Sequence, residues 1–197
     1  MCRVRMKIIP KTAPPSATAA TLDPVTARIR KIDSGMIGAG ERLSMTTNPA
    51  KRTAEIIAEP HRLLIRTDAR LREMNQGSLE GKNLEGLLAG HPELLKKWMT
   101  APAEVEMPEG ESLRSVQARA WQAIKDITDR HPEELVAVVS HNLCILAIIC
   151  KAIALDLNNF RRLRMDNASI SEIAFGSHGP VLIRINDTAH LGNHRGR

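Results

Sequence analysis

Ser140-His141-Asn142 stands between two apolar runs, Leu135-Val-Ala-Val-Val139 before it and Leu143 to Ala154 after it. A five-residue apolar run bounded in this way reads as a fully buried strand and the longer run as a helix, so the polar triplet falls in the turn between them. In an open α/β sheet, ligands bind beyond the carboxyl ends of the strands. A following helix there offers unpaired N–H groups and the positive end of its dipole to an anion. An imidazole at such a turn can bind a phosphoryl oxygen and stabilise charge as transfer proceeds. A histidine that merely caps the helix would sit in the same place, so the triplet alone leaves both readings open.

Two further residues have suitable chemistry but weaker settings. Glu73 lies in the polar stretch Arg70 to Lys82, which Gly77 and Gly81 make too broken for an element of normal length. On its own it reads as a solvated loop carboxylate. Arg52 falls in the first turn of a helix predicted near residues 49–59, where Asn48 is the N-cap, Pro49 the first helical residue and Pro60 the stop. On its own it reads as a solvent-facing helix residue.

The elements that must position these groups follow from the pattern. Leu63 to Thr67 reads as a short strand, and Leu84 to Ala89 and Pro92 to Met99 as short helical pieces broken at Gly90. Ser112 N-caps a long helix through Arg130, with Leu113, Val116, Ala120 and Ile124 on one face. Ser169 to Phe175 and Val181 to Ile185 form a hairpin around residues 176–180. That order gives an α/β fold with helices covering a mostly parallel sheet.

At 197 residues the chain is sized for one domain. Its formal charge of +6 is uneven: residues 1–43 carry eight basic residues against three acidic ones. That segment, rich in Pro, Ala and Thr, reads as largely irregular apart from a strand-like Val4 to Ile9. The organisation is therefore a divergent basic segment, 1–43, before a domain over 44–197, and an altered reading frame upstream of the Asn48 codon would produce such a change. The high pI belongs to the segment and is not taken as a nucleic-acid surface on the domain. Two Trp, two Phe and no Tyr also argue against a stacking platform for single strands. Cys2, Cys144 and Cys150 have no metal-type spacing and read as buried cytosolic thiols. The run from Leu143 to Leu157 is broken by Lys151 and Asp156 and is shorter than the roughly 20 residues of a membrane span, and no export signal is evident. A cytoplasmic protein with no metal, no cofactor and no membrane partner is expected.

Several ordered matches give a more specific reading. Val139-Ser-His-Asn142 resembles the second-histidine motif of the histidine phosphatases, the phosphoglycerate-mutase-like superfamily. Leu71-Arg-Glu73, Gly77 and Leu79-Glu-Gly81 resemble that family's Glu loop, with Leu79 in place of the usual aromatic. Gly110-Glu-Ser112 is similar to its Gly-Gly-Glu-Ser helix start, and Asp166-Asn-Ala-Ser-Ile170 with Asn186-Asp187 and His190-Leu191 to its last strands. Asn48-Pro-Ala-Lys-Arg52 is similar to its phosphate clamp, although three residues that normally precede the Thr-Ala pair are missing before Thr53-Ala54.

The resemblance implies a three-layer α/β/α fold and a metal-independent reaction on a small phosphorylated molecule. Glu73 would protonate the leaving alkoxide, His141 would be the second phosphate-pocket histidine, and Arg52 and Asn142 would bind the phosphoryl group. A cap region at roughly 84–108 would set substrate choice. The family's nucleophile is the histidine of an Arg-His-Gly triplet at the end of its first strand. Met6-Lys-Ile-Ile-Pro10 resembles that strand, yet Lys11-Thr12-Ala13 follow it and no histidine precedes His61. His61, His91 and His131 each adjoin a proline at an element boundary and read as surface turns. The expectation is a phosphomonoesterase with impaired or lost catalysis, the alternative a non-catalytic phosphate-ester-binding or regulatory protein.

Overall fold

A computed structural model describes residues 4–10, 31–35, 49–132 and 134–191. Cys2, Lys11 to Ala13, the expected cap Asn48 and His194 lie outside the described residues. In chain order the elements are β1 (Val4–Pro10), β2 (Lys31–Gly35), α1 (Pro49–Ala58), β3 (Ile65–Asp68), α2 (Leu84–Gly90) and α3 (Pro92–Thr100). They continue with α4 (Leu113–Arg130), β4 (Leu135–Ser140), α5 (Asn142–Ala152), β5 (Ile170–Gly176) and β6 (Gly179–Asp187).

β4 organises the molecule because its sequence is apolar on both faces. Val136 and Val138 join the larger core with α4 and α5, while Ala137 and Val139 join a second cluster with Ala50, Ala54 and Ile57 of α1. Alternate residues of a strand point to opposite faces, so an unbroken apolar run requires a layer on each side. The six strands run in the order β3-β2-β4-β1-β5-β6. The first four are mutually parallel, and β5 and β6 form the expected hairpin, with β5 antiparallel to β1 and to β6. The three-layer α/β/α arrangement with a mostly parallel sheet is the fold the resemblance implied. α5 sits at its centre, with eight residues buried, as suits a helix that is apolar all round.

Of the first 43 residues, the described Val4–Pro10 is the strand-like stretch the pattern offered, and Lys31–Gly35 departs from the irregular reading. β1 lies between β4 and β5, with Pro10 opposite Ser140 at the carboxyl end of β4, and β2 lies between β3 and β4. Residue 43 therefore marks a change of composition, not an edge of the sheet. β2 escaped the pattern because Lys31-Ile-Asp-Ser-Gly35 has one large apolar residue and ends in glycine. Its place between two parallel neighbours, not its propensity, makes it a strand.

Elsewhere the elements fall within a few residues of the pattern. Ser112 caps α4 by accepting the Ser115 N–H at 3.1 Å. Pro49 and Pro92 open α1 and α3, where a missing N–H costs nothing. His61 and His91 are half-buried residues at element ends. His131 is a correction: it ends α4 but is only 3 % exposed, with Nδ1 3.5 Å from Glu134 Oε2. The proline beside it marked the boundary correctly and its exposure incorrectly.

Candidate active site

α5 begins immediately past the end of β4, with His141 at its N-cap position and 1 % exposed, and with Asn142 as its exposed first residue. The His141 carbonyl accepts the Ile145 N–H at 2.9 Å. Into this helix start comes Glu73 from the loop between β3 and α2. Its Oε1 accepts the N–H of Met74 at 2.9 Å and of Cys144 at 3.3 Å, and Oε2 accepts the N–H of Leu143 at 3.4 Å. Two of the orphan amides of α5 thus hold a carboxylate. Glu73, His141 and Asn142 thus share one end of the sheet, at the start of α5.

The segment carrying Glu73 is held by its backbone. Arg119, on the buried side of α4, donates from Nη1 to the carbonyl of Arg70 at 2.6 Å and of Arg72 at 2.9 Å, and from Nη2 to that of Glu73 at 3.0 Å. The remaining carbonyl of the four, Leu71, accepts from Ser140 Oγ at 2.7 Å. Arg119 is itself gripped by Glu111, through Nε at 3.0 Å and Nη2 at 2.9 Å, and Glu111 also accepts from Arg72 Nη2 and the Asn75 N–H. Burial pushes the Glu111 carboxyl up, but the hydrogen bonds from Arg119 and Asn75 and the charges of Arg119 and Arg72 outweigh it and leave the group below its ordinary value.

Two glycines let the Glu73 and Glu111 loops meet. The Ser78 N–H donates to the Pro108 carbonyl and the Glu111 N–H to that of Asn75, each at 2.9 Å. Gly77 has φ +58°, and a Cβ there would collide with the Pro108 carbonyl oxygen, while one on Gly110 would come within 2.5 Å of the Asn75 oxygen. Only glycine permits this approach.

Arg52 is not brought to this place by its described contacts. α1 buries Ala50, Thr53, Ala54, Ile57 and Ala58, which leaves Arg52 on the opposite face, its side chain 65 % exposed and its Nη1 3.2 Å from Glu55 Oε2. Asp166 and Asn186 play a supporting part. The Asp166 N–H donates to Asn186 Oδ1 at 2.7 Å and Asn186 Nδ2 to Asp166 Oδ2 at 2.9 Å, which ties the approach to β5 onto β6. Burial pushes the Cys144 thiol up to about 11, so it is no nucleophile at neutral pH. Among the described residues, no cluster of His, Cys, Asp and Glu could hold a metal ion and no helix is long and apolar enough to cross a membrane.

The pattern did not single out Arg119 or the Ser140 hydroxyl. A signal for Arg119 was present: it is a charged residue three past Val116 and four before Ala123, on the face that α4 buries.

A family model, that of the histidine phosphatase superfamily (branch 1), matches residues 44–188. Phosphoserine phosphatase 1 of Hydrogenobacter thermophilus is 34 % identical over 149 residues, covering 74 % of this chain and 71 % of that protein. A probable phosphoglycerate mutase GpmB of Yersinia pestis is 29 % identical over 154 residues, covering 76 % and 72 %. Among solved structures, Bacillus stearothermophilus YhfR superposes with a TM-score of 0.81 at 20 % identity, over 95 % of this chain and 99 % of that one. A mycobacterial glucosyl-3-phosphoglycerate phosphatase, in a complex with inorganic phosphate, does so with 0.75 at 21 % identity over 94 % and 98 %. The structural likenesses speak to the fold.

Proposed function

The chain belongs to the histidine phosphatase superfamily, and from that premise we propose that it is a phosphomonoesterase by descent whose pocket keeps its acid and its second histidine but lacks the attacking histidine. The observation that carries the reading is Glu73 seated on the α5 amides beside His141, at the end of the sheet where Pro10 of β1 and Ser140 of β4 stand side by side. No histidine precedes His61, so none follows β1 where the family's nucleophile would stand.

In the full reaction, the bond from phosphorus to the alcohol oxygen breaks, its electron pair goes to that oxygen, and the oxygen takes a proton from the acid. Here Glu73 would supply the proton, and His141 and Asn142 would hold the non-bridging oxygens. With no histidine to accept the phosphoryl group, water must attack phosphorus directly, its oxygen forming the new bond as that to the alcohol oxygen breaks and its proton returning to the Glu73 carboxylate. Loss of such a nucleophile typically removes several orders of magnitude of rate. The ligand is a small phosphorylated metabolite or inorganic phosphate, as the names of the relatives suggest.

Calorimetric titration of the full chain with inorganic phosphate tests the pocket. Binding by the native chain that weakens roughly tenfold or more in His141→Ala supports it. Equal binding by both proteins, or none by either, contradicts it. The second reading, a phosphate-ester-binding protein without turnover, uses the same residues and is favoured by the same missing histidine.

A further inference from the structure

Beside the Glu73 carboxylate the molecule has an apolar cleft. It lies between the α2–α3 pair and the Glu73 loop, enclosing about 430 Å³ of space open to solvent, and its walls include Met74, Leu79, Leu87, Leu94, Trp98 and Leu143. Among the described residues, Gln76 is its single polar lining residue and no charged side chain lines it. Two of these walls touch the site directly, because the Met74 and Leu143 N–H groups donate to Glu73. The cleft therefore begins one residue from the carboxylate.

Resting on the function proposed above, we infer that the alcohol half of the phosphate ester is apolar or aromatic and lies in this cleft. The acid that protonates a leaving oxygen sits on the leaving group's side of phosphorus, so whatever hangs on that oxygen extends past Glu73 toward Met74 and Leu79. An uncharged hydrocarbon or aryl group gains there by leaving water. A leaving group such as serine, with an ammonium and a carboxylate, would be desolvated without a counter-ion in the described lining. The chain thus differs in preference from a phosphoserine phosphatase, despite its likeness to one. Leu79 contributes directly: it stands where the related loop has an aromatic, is 5 % exposed, and forms part of the floor.

Three phosphorus ligands that cannot be hydrolysed test this on the full chain: inorganic phosphate, the phosphonate analogue of phosphoserine, and naphthylmethyl phosphonate. Affinity is read by calorimetry, and position by Trp98 emission in a Trp121→Phe background, which leaves one tryptophan. The aryl phosphonate should bind roughly tenfold or more tighter than the other two and alone perturb Trp98. Leu87→Arg and Leu94→Arg, at half-buried positions of the cleft wall, should each collapse that ratio in protein whose thermal unfolding remains cooperative. If inorganic phosphate binds and the aryl compound binds no tighter, or the ratio survives both substitutions, the apolar-substrate inference is wrong while the phosphate pocket stands. If none of the three binds, both fall.

Discussion

Glu73 and Arg52 lie on neighbouring parts of the chain and both resemble residues of one phosphate site, yet they are built in opposite ways. Four consecutive carbonyls, from Arg70 to Glu73, are held by Arg119 and Ser140, and the carboxylate itself rests on helix amides. Arg52 has an exposed partner on its own helix. A side chain that must stand at one point is fixed through the backbone beneath it, whereas a side chain on a helix goes where the apolar stripe of that helix sends it.

The largest expected effect of breaking the contrast comes from Arg119→Ala. It leaves three carbonyls without their donor and the largely buried Glu111 with only Arg72 and the Asn75 N–H, and should lower unfolding free energy in urea by about 3 kcal/mol. A loss below about 1 kcal/mol would mean that the Glu73 loop is held by something else. Next is Gly77→Ala, which combines a positive φ with a collision against Pro108 and should cost about 2 kcal/mol or more. Gly81→Ala, with φ +75° but open space around it, should cost about 1 kcal/mol. Equal costs in a thermal melt would show that the close approach of the two loops is unimportant.

Acid sharpens the same contrast. Burial raises the Glu111 and Asp68 carboxyls, but hydrogen bonds and charges from Arg119 and Arg70 respectively outweigh it and hold both below their ordinary values. A carboxyl depressed in the folded state contributes stability above its unfolded pKa and loses it as pH falls through the folded one. Stability should therefore decline below about pH 4, and Arg119→Ala should shallow that decline because Glu111 returns toward its ordinary value. An unchanged acid limb in the variant would sink the assignment. Smallest of all, Arg52→Ala should change stability by less than about 0.5 kcal/mol and leave phosphate affinity within about twofold. A larger loss of affinity would place Arg52 back in the clamp.

Much of this was legible from residue order. β4, the turn at His141, α5, the capped start of α4 and the β5–β6 hairpin all show in periodicity and caps, because each buries a continuous apolar face. β2 did not show, since its strand state comes from its neighbours in the sheet. Within the site, a motif could name Glu73 and His141 but not the residues that hold them. Arg119 acts on backbone carbonyls some 46 to 49 positions away, and no local pattern records a hydrogen bond of that span. For Arg52 a motif gives the residue type, while the stripe Ala50, Ala54, Ile57 sets which face of α1 is buried.

Whether the phosphate pocket works without an attacking histidine is decided by hydrolysis of a generic aryl phosphate. The native full chain is compared with His141→Ala from about pH 5 to 7.5, where a histidine changes charge. Near-background rates are expected for both proteins, equal within about tenfold across that range. Turnover of about one per second or faster that disappears in His141→Ala would contradict this, showing that a nucleophile is present and that the pocket is a working enzyme.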